Sequence, residues 1–244
     1  YKPDASGRRA GFPRFKSKKD GLGGFQLRNT SEAGIVLRDG MLHLPIIGPV
    51  RINRISRWPV GRVTTVRIKE KRGKWWISCS FDAPRPEPTT NTTVIGVDLG
   101  LKTLATLSTG ETFKNPRHLK NATKHLRRLQ RTVSRRFKKG RPQSKNYAKA
   151  KNRLSKTHER IANLRRNAQH HVSAAIIKQA GTVVLESLNV KGMMQNHCLA
   201  RAFSDAAFGE LTRQHIYKAE RVGVRILRAD PFWPSSKRCH KCGT

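Results

Sequence analysis

The chain has 244 residues, with 51 Lys and Arg against 15 Asp and Glu, a formal net charge of +36. That length suits one large domain or two small ones with a real core, and 36% apolar residues exclude a disordered basic tail. The longest apolar runs span only a few residues, so neither a transmembrane helix nor a signal peptide is expected. So large a positive excess repels itself in a folded chain and calls for a polyanion. The charges spread along most of the chain rather than flanking one apolar face, which favours nucleic acid over a membrane. Four cysteines, two isolated and two in a C-x-x-C, do not make a disulfide framework, and a reducing cytoplasm is the expected compartment. The chain starts at Tyr1 and stops two residues after its C-x-x-C, as a piece of a longer protein would.

Residues 1–88 carry turn signals and short alternating runs. Gly, Pro and Lys crowd Lys2–Gly24, where FPRFKSKKDGLGGF mixes aromatics with bases. Six strand candidates follow: FQLRN, GIVLRD, MLHLPII, RINRI, TTVRIKEK and KWWISCSF. Gly73–Trp75 supplies a hairpin turn between the last two, and the spacing predicts a small antiparallel barrel or sandwich. The Pro- and Thr-rich stretch Ala83–Thr93 marks the domain boundary, with residues 89–93 as linker. Beyond it, VIGVDLG (Val94–Gly100) reads as a buried strand interrupted by one acid. KTLATLSTGETF reads as a hairpin turning at Thr109–Gly110, so Val94–Phe113 is a three-strand meander.

A helical hairpin is expected over residues 116–180. Leu119, Ala122, Leu126, Leu129, Val133 and Phe137 form one apolar seam. GRPQS (Gly140–Ser144) breaks it, and Tyr147, Ala150, Leu154, Ile161, Leu164, Ala168, Val172 and Ala175 form the second. Then come a strand, TVVLESL (Thr182–Leu188), a helix over Ser204–Gly223 with Ser204 as N-cap, and a last strand, VRIL (Val224–Leu227). Three strands, a helical hairpin, strand, helix and strand is the element order of a ribonuclease-H-like α/β fold.

Two of the scarce acids stand out. Asp98 interrupts VIGV–LG and Glu186 ends TVVL. A carboxylate at the end of an apolar strand is costly to bury unless it is paired or binds a metal. Strand ends are also where open α/β sheets place ligands. Convergent carboxylates can hold Mg²⁺ ions about 3.5–4 Å apart for phosphodiester hydrolysis. The alternative is that each acid pairs with one of the many Lys or Arg side chains.

At these residues the sequence resembles a known family. IGVDLGLKTLATLSTG, LSKTHERIANLRRNAQHHVS, VVLESLNVKGMMQN, LARAFSDAAFGEL and FWPSSKRCHKCG, in that order, are similar to the transposon-encoded TnpB proteins and the related miniature type V CRISPR effectors. The resemblance runs from about FPRFKSKKD to the last residue. It implies a RuvC-like nuclease domain (94–230) preceded by a β-barrel-like wedge domain (1–88), cutting target DNA under a guide RNA. Asp98 matches the first RuvC acid and Glu186 the second, both as Mg²⁺ ligands. The family's third acid, an Asp, follows a second C-x-x-C, which places it past Thr244. The helical recognition domain usual before FPRFKSK is not in this chain. A nuclease-inactive RNA-guided DNA-binding protein is the competing class. A structural RNA-binding protein of ribosomal type is a third, against which Asp98 and Glu186 argue.

The remaining candidates are basic, aromatic and sulfur-bearing. Lys114–Arg166 holds twenty Lys and Arg with Glu159 as its one acid, whereas a merely solvated helix face interleaves both signs. Arg127, Arg128, Arg131 and Arg135 are the expected phosphate contacts, suited to the backbone of an A-form guide–target heteroduplex. Arg14 and Lys16 join them from the N-terminal run, where Phe12 and Phe15 either stack on unpaired bases or belong to the core. Of the adjacent Trp75 and Trp76, one is expected in the core. The other contacts a partner or covers the barrel. Cys239 and Cys242 have the spacing of half a tetrahedral zinc site. By resemblance, residues 231–244 are the first knuckle of a four-cysteine ribbon. Cys79 and Cys198 read as ordinary small residues, and His170 and His171 as structural.

Overall fold

Alternation and turn chemistry divide the chain near Pro84. The computed structural model describes residues 23–30, 34–38, 40–53, 61–71, 74–82, 84 and 86–230. They fall into two units, 1–84 and 85–244.

The first unit holds β1 (Phe25–Arg28), β2 (Val36–Arg38), β3 (Met41–Leu44), β4 (Gly48–Arg51), β5 (Arg62–Lys71) and β6 (Lys74–Asp82). Of the expected strand RINRI, only Arg51 lies in β4. The strands form two three-stranded sheets, ordered β1-β5-β6 and β2-β3-β4, so among the described residues the ladders are open rather than one closed ring. The sheets share a core of Ile35, Leu42, Leu44, Val63, Val66 and Ile68. Val63 and Val66 are an odd number of residues apart, which strict alternation would place on opposite faces. A register shift between Val63 and Thr65 inserts the extra residue that lets both point inward.

Neither tryptophan is in the core: Trp75 is 58% and Trp76 57% exposed. Trp75 lies opposite Glu70, beyond the core pair Ile68–Ile77, and so overhangs the end of the apolar face. Trp76 lies opposite Lys69 on the outer face.

The second unit contains β7 (Val94–Asp98), β8 (Thr103–Leu107), β9 (Thr112–Lys114), α1 (His118–Arg136), α2 (Lys145–Gln179), β10 (Thr182–Leu185), α3 (Val190–Gln195), α4 (Ala200–Ala206), α5 (Phe208–Val222) and β11 (Arg225–Arg228). Its sheet runs β11-β10-β7-β8-β9. β10 is parallel to both β7 and β11, whereas β8 is antiparallel to β7 and β9. Ile95, Val97, Val183 and Leu185 face one way and pack with Val172, Ile176 and Ile177 of α2 and Phe208, Leu211 and Ala219 of α5. Each large side chain buried so completely contributes about 1.5–3 kcal/mol. A polar link crosses the same layer, where the Ser173 hydroxyl donates to Gln214 Oε1 (3.1 Å) and accepts from Lys218 Nζ (2.7 Å).

Further details differ from the sequence reading: Phe137, assigned to the first seam, is the exposed C-cap of α1, and α3 has no counterpart in it. The helix expected over 204–223 is two helices, α4 and α5, broken at Ala207 in the left-handed region (φ 51°). Ser204 lies inside α4 and caps nothing; its carbonyl accepts from Arg165 Nη1 at 2.6 Å. Leu164, assigned to the α2 seam, is 40% exposed. There α2 passes from α1 to α4, and the inward positions are taken by Arg165 and Gln169, which bond the end of α4. Among the described residues no helix is long and apolar enough to cross a membrane.

The Pro- and Thr-rich stretch is stitched to the second unit. Thr89 N–H donates to Val222 O (2.8 Å), and Asn91 Nδ2 donates to Gln179 O (2.9 Å). The N–H groups of Gly181 and Thr182 both donate to Thr93 O, at 2.8 and 3.0 Å. A Cβ on Gly181 would lie 1.7 Å from Asn91 O, so only glycine fits this crossing. Gly181→Ala is therefore expected to destabilise the second unit by about 2 kcal/mol, read as a lower urea midpoint at unchanged slope. An unchanged midpoint would show that the crossing is loose.

Candidate active site and nucleic-acid interface

Parallel pairing brings the two candidate acids together. β10 pairs with β7 so that Val184 faces Gly96 and Leu185 faces Val97. The next rung sets Glu186 beside Asp98, the last residue of β7. On the other side, Ala229 N–H donates to Leu185 O (2.8 Å) and the Ser187 hydroxyl donates to Ala229 O (2.7 Å), fixing the backbone around Glu186. These are the carboxyl ends of adjacent parallel strands, where an open α/β sheet presents its ligands. A cleft of about 340 Å³ opens there, lined by Gly96, Asp98, Thr106, Ser108, Val184 and Glu186 among others. Ser108 is locked in place, its Oγ accepting from Gly96 N–H at 3.0 Å. Sequence does not single out Thr106 and Ser108, because hydroxyl residues in a strand and a turn carry no distinguishing pattern.

Both carboxylates are exposed rather than buried, so the cost of burial does not by itself mark them. What marks them is each other. Partial desolvation pushes the Glu186 pKa up, and the negative charge of Asp98 and a hydrogen bond shared with it push it further. No Lys or Arg is among the groups that shift it, so the ion-pair alternative does not describe Glu186. Each negative charge opposes the other, so Glu186 keeps its proton to a higher pH than a lone glutamate would. Chemically, this is an oxygen-rich site with more negative charge than it can carry alone. Among the described residues no group of three His, Cys, Asp or Glu converges, so Asp230 does not join the pair.

The basic hairpin forms a second surface. Leu126, Ala150 and Ile161 are buried in its seam, and Phe137 packs on Tyr147 near the tip with ring centres 6.0 Å apart. Arg127, Arg128, Arg131 and Arg135 are all exposed on α1. With Lys120 and Lys124 they line an open groove of about 960 Å³. No acid stands in the first turn of either hairpin helix.

The other candidates have no part in the cleft. His170 is half-buried between helices, its carbonyl accepting from Lys218 Nζ (2.8 Å), and burial holds its pKa low. His171 is exposed. Cys198 is an exposed free thiol, and burial pushes the half-buried Cys79 thiol up to about 11. Arg14, Lys16, Phe12, Phe15, Cys239 and Cys242 lie outside the described residues.

Comparison with known proteins identifies the family pattern. The family OrfB_IS605, described as "Probable transposase", matches residues 67–197, and the "Cas12f1-like, TNB domain" matches residues 208–244. A Streptomyces pristinaespiralis protein named "Putative RNA-guided DNA endonuclease" is 35% identical over 242 residues. "Putative RNA-guided DNA endonuclease InsQ" of Escherichia coli (strain K12) is 31% identical over 252 residues. Each match takes in 97% of this chain, which spans 58% and 60% of those relatives' lengths. Among solved structures, "Cryo-EM structure of the Cas12f1-sgRNA-target DNA complex" is similar in fold, with a TM-score of 0.52 and 20% identity. That match covers 75% of this chain and 39% of the other.

The interaction of the two carboxyls has a measurable consequence. Glu186 should titrate above the ordinary Glu range, and Asp98→Asn should bring it part of the way down, leaving the desolvation shift. Between the ordinary and the raised values the folded chain keeps a proton that the unfolded chain has lost. The group's contribution to stability is therefore full at low pH and disappears as pH rises through the raised value. Side-chain carboxyl NMR of the wild type and Asp98→Asn checks this, and identical Glu186 titrations would show that the carboxyls do not interact.

Proposed function

Because the chain belongs to the OrfB_IS605 family, we propose that it carries the RuvC-like nuclease core of an RNA-guided DNA endonuclease. The observation behind this reading is the Asp98–Glu186 pair at the ends of adjacent parallel strands. On this reading residues 94–230 are a ribonuclease-H-like domain and the β-rich first unit is the wedge domain. Guide RNA and target DNA are the partners.

The donor set suits Mg²⁺. Carboxylate oxygens are hard ligands, and a divalent cation would relieve the repulsion that raises the Glu186 pKa. When bound, the metal supplies Lewis-acid activation of water and neutralisation of charge at the scissile phosphodiester. Asp98 and Glu186 hold it from two strands whose register fixes their separation. The Ser108 turn and Thr106 shape the neighbouring wall, while Arg127, Arg128, Arg131 and Arg135 hold phosphates by charge without reading bases. An A-form heteroduplex is bound through shape and backbone in this way. Cys239 and Cys242 would supply half of a structural zinc site.

The competing class is a protein that binds guide RNA and target DNA without cutting. A non-cleaving, RNA-guided DNA-binding protein needs no complete metal site. Mutation separates the readings. In the intact protein, Asp98→Ala should lower Mg²⁺-dependent cleavage of guide-matched DNA by at least about 100-fold while leaving heteroduplex affinity nearly unchanged. Independently of activity, added Mg²⁺ should lower the Glu186 titration in the wild type. Equal cleavage by both proteins would remove the site assignment, and target binding without any cleavage by the wild type would favour the second reading.

The hairpin is tested by charge reversal. Replacing Arg127, Arg128, Arg131 and Arg135 with Glu should weaken binding to all nucleic-acid sequences alike. It should flatten the salt dependence by about 0.7–0.9 log units for each phosphate that the protein ceases to neutralise. An unchanged slope would return the hairpin to a solvated face.

A further inference from the structure

α1 begins without a cap of its own. Arg117, just before it, is in the left-handed region (φ 48°), and its side chain makes no capping hydrogen bond. A helix start leaves its first backbone N–H groups without intrahelical partners. Two of them are satisfied from a distant helix. Leu119 N–H donates to Asp205 Oδ1 at 2.9 Å, and Lys120 N–H donates to Asp205 Oδ2 at 3.0 Å. Asp205 belongs to α4 and is only 7% exposed. A carboxylate so buried is costly unless its oxygens are bonded, and here each oxygen has a helix-terminal donor.

The same end of α4 also fastens α2. Arg165 Nη1 donates to Ser204 O at 2.6 Å, and Gln169 Nε2 donates to the carbonyls of Ala206 and Ala207 at 2.9 and 3.1 Å. Both helices of the basic hairpin are thus tied to one point, where the chain turns through Ala207 into α5. A Ser, Thr or Asn beside α1 would cap it equally well. A cap delivered from α4 does something more, because it fixes the direction in which α1 leaves the sheet.

The lever is long enough for this to matter. From Leu119 to Arg135 the helix rises about 24 Å, so a tilt of about 10° at its base moves the far end by about 4 Å. That displacement exceeds hydrogen-bond reach to a phosphate.

We infer that Asp205 is a positioning residue whose carboxylate aims the basic hairpin, so that its guanidinium groups meet the phosphates of one bound nucleic acid together. The identity of that partner rests on the function proposed above. Asp205 is separate from the Asp98–Glu186 cleft and needs no metal for this role.

The test combines amide hydrogen exchange with the salt dependence of binding, using the whole chain and a 20-base-pair RNA–DNA heteroduplex as probe. In Asp205→Ala, the amides of Leu119 and Lys120 should exchange at least about 10-fold faster, while those of Val183 and Leu185 keep their protection. The slope of log K against log salt should become shallower by about 0.7–0.9 for each phosphate no longer neutralised, and by at least one such step. Asp205→Asn, which keeps the size and one acceptor oxygen, should show smaller changes in the same direction. Faster exchange with an unchanged slope would mean that Asp205 caps α1 without aiming it. Unchanged exchange would mean that it does not hold α1, and lost protection at Val183 and Leu185 in both variants would make it a general stability residue. Each of these overturns the proposal. A wild-type chain that does not bind the heteroduplex would overturn the function reading and this proposal with it, whereas the variant results bear on Asp205 alone.

Discussion

The parallel pairing of β7 with β10 is the constraint on which the candidate site depends. Asp98 and Glu186 are far apart in sequence and become neighbours only because Leu185 lies opposite Val97. A one-residue slip would turn Glu186 to the other face of the sheet, into the layer filled by α2 and α5. That layer holds the register in place. Ile95, Val97, Val183 and Leu185 are each less than 5% exposed and are packed under those helices. The Gly181 crossing holds it from the other end, since Thr93 O accepts both N–H groups that lead into β10. The site is exposed, but its geometry is set by buried side chains.

Charge is divided unequally over this frame. Bases crowd the exposed side of the hairpin, whereas the cleft concentrates two acids with no basic group shifting Glu186. A surface with one sign attracts a polyanion from a distance and holds it by its backbone. A small pocket of the opposite sign repels that polyanion unless a cation intervenes. On the proposed function the pair would take a metal and the hairpin phosphates, and cleavage would need both. Structural anchoring joins them: the hairpin bases are carried by α1, whose start is bonded to Asp205, and Asp205 closes the segment that begins at Glu186.

Much of this organisation was legible in the sequence. The switch from alternating runs to an apolar run with one acid, then to seams with helical spacing, corresponds to the order of elements from β1 to β11, apart from α3, which no periodic run announces. Asp98 and Glu186 were legible because acids are scarce in so basic a chain and both interrupt apolar strands. Other features depended on tertiary contacts that no local pattern carries. The break falls at Ala207, in an Ala–Ala pair, and the nearby Gly209 lies inside α5. The break exists because Asp205, Ser204 and the carbonyls of Ala206 and Ala207 are engaged by α1 and α2. Trp75 has the parity of a core residue and is exposed because the core ends one pair earlier. Leu164 fits the helical period, yet it falls where α2 changes partners. The exposure of the two acids has a related reason. A strand can be buried along its length while its last residue opens into a cleft.

Asp98 and Glu186 are proposed to hold the divalent cation of a nuclease, and diffraction from crystals grown with Mn²⁺, which replaces Mg²⁺ at oxygen sites, is the sharpest check. An anomalous peak within bonding distance of both carboxylates, in the cleft beside Ser108, is expected. A peak elsewhere with this cleft empty, or a Glu186 titration unmoved by saturating Mg²⁺, would show that the pair does not hold the metal.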